Sequence, residues 1–203
     1  MTPLIVLPAA GASSRMRGRD KLLEVVDGRA LLRRQAEAAV LTGWDVAVLV
    51  HPDQAERMAV LDGLDIQIVT VPDARDGMSA TLKVAASLAK PDQPLCLLLP
   101  DVPGIGPREI GFVCAAFVKS GSAKITRGSD PEGHPGTPIV FPHATLKGFA
   151  DLSGDDGGRS LIDPNALIKV HFPDDRATRD LDTPEEWAKW RADTNRSGEA
   201  DSA

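Results

Sequence analysis

Cysteine is nearly absent: Cys96 and Cys114 are the only two, with no C-x-x-C spacing and no paired histidines beside them. That excludes a disulfide scaffold and a thiolate zinc site, and both read as buried thiols of a reducing compartment. No stretch approaches the roughly 18 apolar residues a membrane span needs. The opening M-T-P-L-I-V-L-P has no basic n-region, and its apolar run is too short for a signal peptide. A cytoplasmic protein with no membrane partner is the expectation. Net positive charge is lacking too, since 23 Lys and Arg against 29 Asp and Glu leave a formal charge of −6. No general field is available for a nucleic-acid backbone, so a polyanionic ligand must be met by a local site.

The chain has 203 residues, of which 42% are hydrophobic and 26% charged. These values predict one compact domain over 1–194, and the small, polar stretch 195–203 reads as a disordered tail. Apolar runs at 4–7, 46–50, 66–71 and 94–99 alternate with stretches of helical spacing at 30–41, 51–61 and 79–88. Strands this apolar, each followed by a helix, predict an α/β fold. The expected form is a three-layer α/β/α sandwich around a mainly parallel, Rossmann-like sheet. Beyond it the pattern predicts a helix at 107–119, a short strand at 123–126, a Gly/Pro/charged loop at 127–138, short strands at 138–141 and 167–172, and a helix at 184–192. Trp187 and Trp190, three apart on that last helix, read as core anchors.

The segment after the first strand, Pro8-Ala9-Ala10-Gly11-Ala12-Ser13-Ser14-Arg15, is a row of small residues whose backbone a ligand can approach and whose amides can form a nest for phosphate. Arg15, Arg17, Arg19 and Lys21 then place four cations within seven residues of an otherwise acidic chain. The combination suits a triphosphate, although a solvated surface loop would use the same residues. It matches neither common nucleotide fingerprint: Gly11 lacks the Gly-Lys partner of a P-loop and the two further glycines of a dinucleotide turn.

Asp101 follows the most apolar strand in L-L-P-D-V-P, at the carboxyl end where open α/β sheets bind ligands. Beside a triphosphate a carboxylate there would hold Mg²⁺, which needs only one or two protein oxygens. A turn aspartate before proline is the plainer reading. The run D-L-D-T-P-E-E at 180–186 could supply a second ligand, Asp182 or Asp180, or could simply cap a helix.

Taken in order, the loop with its D-K-L-L-E-V-V-D-G-R-A-L-L continuation, D-G-M-S-A-T-L, L-L-P-D-V-P, P-G-T-P-I-V-F, G-D-D-G-G-R-S-L-I and D-L-D-T-P-E-E resemble the MobA-like nucleotidyltransferases, over about residues 4–190. Within that family the molybdenum cofactor cytidylyltransferases are the most similar branch. The resemblance implies the nucleotide-diphospho-sugar transferase fold and transfer of CMP from CTP to a phosphorylated acceptor such as molybdopterin. Pyrophosphate would leave, and a molybdoenzyme or chaperone would be an onward partner.

It further implies that Pro8, Ala9, Ala10 and Gly11 line the nucleotide, Arg15 and Lys21 meet the triphosphate, and Gly77, Met78 and Ser79 close over it. Asp101 and Asp182 would hold Mg²⁺. Gly154, Asp155, Gly158 and Arg159 match an acceptor-side motif. Thr137, an acceptor-side candidate, stands where the family usually has histidine in P-G-H-P. His134, three residues earlier, reads as a solvated loop histidine. Pro100 replaces the usual small residue before the aspartate. Sugar-phosphate or guanylyl transfer, and the oxidoreductase chemistry of a related pyridine-dye branch, are the alternatives.

Overall fold

The computed structural model describes the backbone of residues 2–200 and the side chains through residue 193. Strands β1 (Leu4–Pro8), β4 (Val46–Val50), β5 (Gln67–Thr70), β6 (Leu95–Leu97), β7 (Thr126–Ser129), β8 (Pro135–Phe141) and β9 (Ile168–His171) form one sheet in the order β5-β4-β1-β6-β8-β7-β9. Two-residue strands β2 (Val25–Val26) and β3 (Arg29–Ala30) make a separate small ribbon. Pairing is parallel from β5 through β6 and between β7 and β9, and β8 runs antiparallel to both its neighbours. The α/β expectation holds, with one reversed strand.

Alternation along β1 divides the core. Ile5 and Leu7 pack on one face with helices α1 (Leu31–Val40), α4 (Pro107–Lys119) and α6 (Pro184–Ala200). Leu4 and Val6 face α3 (Met78–Leu88) and α5 (His143–Leu146). A sheet with both faces covered is why these strands are apolar throughout. Trp187 is fully buried and meets Trp190 edge to face at 5.9 Å, as core anchors should. Cys96 and Cys114 are free and buried, and contact with Cys114 together with burial pushes the Cys96 thiol well up. Among the described residues no helix is long and apolar enough to cross a membrane.

The second half differs from the expectation. The segment 127–138 is no open loop: β7 and β8 enclose a turn at 130–134, and their register shifts between Arg127 and Ser129. Its glycines and prolines read as loop punctuation, yet Gly128 and Gly136 are small because the backbone of Thr137 and of Ala177 crowds the places where their Cβ atoms would stand. The strand expected at 123–126 begins at Thr126 instead. Helix α2 is also shorter, spanning Ala55–Ala59 with Gln54 as its first flanking residue, so 51–53 form a turn. The backbone of α6 continues through residue 200, so the tail read at 195–203 is helical to that point, and 201–203 lie outside the described residues.

Candidate active site

Strand order changes direction between β1 and β6, since β4 and β5 lie on one side and β8 on the other. Chains leaving such neighbours diverge, and the crevice beyond their carboxyl ends is where doubly wound sheets place ligands. Both motif loops, 8–21 after β1 and 98–103 after β6, leave from that edge.

The first loop is gripped from behind. Arg57 of α2 is buried, donates to the Ala9 carbonyl and to Ser13 Oγ, and binds both carboxylate oxygens of Asp20 at 2.7 and 2.8 Å. Gln54 donates to the carbonyls of Ala10 and Gly11. With those carbonyls held toward α2, the amides of residues 11–13 donate to no protein group among the described residues. Ser13 and Arg17, at φ 51° and 53°, bracket a short 3₁₀ turn that buries Met16 and leaves Arg15 outside. Ala9 itself is packed in the core, so it offers a ligand its backbone alone. A Cβ on Gly11 would meet no protein atom within 4 Å, so nothing inside the fold requires that residue to be glycine.

Three carboxylates gather around one ammonium at the β6 edge. Lys21 Nζ lies 2.5 Å from Asp101 Oδ2 and 2.6 Å from Asp182 Oδ1. Burial works against the Lys21 charge, but Asp101 and Asp182 together raise its pKa. Asp180 sits close enough to feel both acids: burial, then the charges of Asp182 and Asp101, push its carboxyl up. The Leu181 amide donates to the Asp101 carbonyl, tying the two acidic segments together. Asp182 keeps its side chain out of the helix cap because Thr183 Oγ1 accepts from the Glu186 amide while Glu186 accepts from the amides of Asp182 and Thr183.

Asp101 Oδ1 is buried with no hydrogen-bond partner. An orphaned carboxylate oxygen in a cluster with more acid than base fits a divalent cation, with Asp101 and Asp182 as the residues that would hold it. Arg15 contacts Asp182 at 2.5 Å, Arg17 contacts Glu185 at 2.8 Å and Arg19 contacts Glu24 at 3.1 Å. Those three arginines are more than half exposed, but Asp182 and Glu24 are largely buried, so only the Arg17–Glu185 pair is of the exposed kind worth about 0–1 kcal/mol. A second group of metal-ligating type, Asp130, Glu132 and His134, lies in the β7–β8 turn. There the exposed His134 ring pairs with Asp130 at 2.8 Å, so this histidine is not merely solvated.

The closing and acceptor segments touch. Gly77, at φ 114°, lies so close to Gly154 that a Cβ would collide with its carbonyl, and the Ser79 amide donates to that same carbonyl. Asp155 and Arg159 are exposed beyond this contact. Thr137 is fully buried, and its Oγ1 accepts from the Leu99 amide two residues before Asp101. It is therefore a support of the Asp101 loop. Arg57 and Gln54 are the residues that sequence reasoning overlooked. Their signal was a glutamine and an arginine three apart, facing the loop from a segment read as an ordinary helix start.

Solved structures share this architecture. Rv0371c from Mycobacterium tuberculosis H37Rv superposes with a TM-score of 0.76 at 21% identity, covering 93% of this chain and 97% of that one. A structure of the same protein as a manganese complex superposes at 0.68 with 22% identity, over the same shares of the two chains. CMP:2-keto-3-deoxy-manno-octonic acid synthetase complexed with CTP gives 0.70 at 13% identity, covering 97% of this chain and all of that one. Molybdopterin-guanine dinucleotide biosynthesis protein A from Archaeoglobus fulgidus gives 0.67 at 11% identity, with 95% and 99% covered. No curated protein sequence matches the chain. The sequence profile of the MobA-like NTP transferase domain matches residues 5–170, and the chain belongs to that family.

Proposed function

We propose that this nucleotidyltransferase moves CMP from CTP to a phosphorylated small-molecule acceptor of the molybdopterin type, with Mg²⁺, and releases pyrophosphate. The observation that carries the reading is the meeting of Asp101, Asp182 and Lys21 beyond the carboxyl ends of β1 and β6, the same sheet edge from which the loop with unpaired amides at 11–13 leaves. The reaction needs no protein nucleophile. A phosphate oxygen of the acceptor, already an anion at neutral pH, attacks the α-phosphorus in line as the bond to pyrophosphate breaks. Catalysis is then placement and charge stabilisation.

The amides at 11–13 receive phosphate oxygens, and Arg15 and Lys21 neutralise charge growing on the leaving pyrophosphate. A bound Mg²⁺ at Asp101 and Asp182 would supply Lewis-acid polarisation of phosphate oxygens. Gly77 and Ser79 line the nucleotide where they meet the acceptor segment at Gly154. Asp155 and Arg159 stand on the acceptor side. A CTP complex of the same fold and the A-A-G form of the loop support cytosine as the base.

The test is pyrophosphate release with CTP, GTP, ATP and UTP, each with and without a molybdopterin acceptor. Acceptor-dependent release with CTP is expected. Release with GTP alone, or with a sugar phosphate in place of the pterin, would move the chain to the guanylyl or sugar-directed branch.

A further inference from the structure

Asp101 and Asp182 present four carboxylate oxygens, and cations of this chain hold three of them. Lys21 Nζ lies 2.5 Å from Asp101 Oδ2 and 2.6 Å from Asp182 Oδ1, and Arg15 takes Asp182 Oδ2. The fourth, Asp101 Oδ1, is the buried oxygen without a partner. The Lys21 ammonium therefore stands between the two acids, on one oxygen of each. The side chains of Lys21 and Asp101 are 18% exposed and that of Asp182 10%, so solvent screens the cluster little.

An ammonium and a divalent cation repel each other, so a carboxylate pair drawn partly out of water holds one of them at a time. The backbone on either side of Lys21 is pinned, because Arg57 binds both oxygens of Asp20 and Leu22 is buried in the core. Exchange then falls to the Lys21 side chain, a flexible four-carbon stem whose three donors can turn to other acceptors. Arg15, with 69% of its side chain exposed, can leave Asp182 for water. Lys21 is too enclosed for that, and its release calls for an anion within reach of the same stem. Phosphate oxygens supply one.

We propose that Lys21 is a placeholder for the divalent cation: its ammonium holds the carboxylate oxygens that the cation would use, and gives them up when a triphosphate offers it phosphate oxygens instead. This rests on the nucleotidyl-transfer reading above and adds the order in which that site fills. The acids turn away a lone cation, and cation and nucleotide load together. By linkage, the free energy that Lys21 costs the lone cation is returned once the triphosphate draws the ammonium off, which couples the two ligands positively.

The test is binding of Mn²⁺ alone to the full chain, followed by electron paramagnetic resonance, with CTP binding in EDTA measured beside it. Lys21→Met should bind Mn²⁺ about tenfold or more tighter than wild type, the scale of a hydrogen bond to a charged group that no longer has to be broken. Asp101→Asn should bind it more weakly. For CTP in EDTA the sign reverses, and Lys21→Met should lose about tenfold, since a donor to phosphate is gone. Reductive methylation of the wild type, mapped by mass spectrometry, reads the exchange without a variant. Saturating Mn²⁺ should speed methylation of Lys21 severalfold and leave the exposed Lys119 unchanged.

Unchanged or weaker Mn²⁺ binding in Lys21→Met would overturn the proposal and make Lys21 a fixed tie between the acids. Tighter binding without faster methylation in the wild type would overturn it too, leaving Lys21 as a neighbouring charge that never exchanges. Failure of CTP to bind the wild type with Mg²⁺ would sink the nucleotide reading instead. The Mn²⁺ titration and the methylation need no nucleotide and would still decide the exchange.

Discussion

The two flanks of the β6 edge handle positive charge in opposite ways. On the side of the first loop Arg15, Arg17, Arg19 and Lys21 all contact carboxylates. On the β7–β8 side Arg127 contacts none among the described residues, and burial, followed by the charge of Arg159, lowers its pKa to about 10. Only Arg17–Glu185 is exposed on both sides, and a pair of that kind is worth about 0–1 kcal/mol. The arginines of the first flank each have an acid beside them, whereas Arg127 is held to a carbonyl alone.

The strongest way to break this contrast is to remove the acid around which the first flank is arranged. Asp101→Asn should lower turnover on the order of 10³-fold, since it removes a ligand charge and leaves Lys21 with Asp182 alone. Circular dichroism should show an unchanged fold. Lys21→Ala should lower kcat/KM about 10²-fold, the scale of one lost donor to transition-state charge. Lys21→Arg should restore only part of that, because a planar fork does not fit the point between two carboxylates. Steady-state kinetics at limiting acceptor checks both.

Stability sharpens the contrast further. Arg57 is 2% exposed and its partner Asp20 27% exposed, and removing one member of a buried pair costs about 3–5 kcal/mol. Arg57→Ala should therefore lower unfolding free energy by about that much in urea. Arg15→Ala should change it by less than about 1 kcal/mol.

The smallest effect is expected with pH. Asp156 is held below the ordinary aspartate range, first by the Ser160 hydroxyl and then by the amides at 158–160. A carboxyl depressed in the folded state stabilises above its unfolded pKa and loses that contribution as pH falls through the folded value. Amide exchange at 158–160 should therefore rise only on acidification below about pH 4. Asp156→Asn should show no such acid step, and a step at higher pH in the wild type would contradict the assignment.

Much of the β1–β6 edge was legible in sequence because strand, loop and acid are each local signals. The strand read at 4–7, observed as Leu4–Pro8, the row of small residues after it and Asp101 past the most apolar strand all lie where the sequence puts them. Asp180 and Asp182 could not be told apart by spacing. The difference is tertiary, since Lys21, which arrives from 161 residues away, takes the Asp182 carboxylate.

The β7–β8 region was harder to read because its signals misdirect. Gly128, Gly136 and their neighbouring prolines usually punctuate loops, but here close backbone contacts select glycine inside strands. Arg127 gave no pattern at all, because a single arginine in a short strand becomes informative only when its neighbours across the sheet are known. Arg57 was hidden for the same reason, as its partner Asp20 lies 37 residues away.

The most direct measurement of the central claim is a calorimetric titration of CTP into the wild-type chain and Asp101→Asn, each with Mg²⁺ and with EDTA. The account predicts that wild type with Mg²⁺ binds CTP, and more tightly than GTP. Affinity should fall about tenfold or more both in EDTA and in Asp101→Asn, because one removes the cation and the other a carboxylate that would hold it. Equal CTP affinity in all four titrations would contradict it, and would leave Asp101, Asp182 and Lys21 as a structural ion cluster.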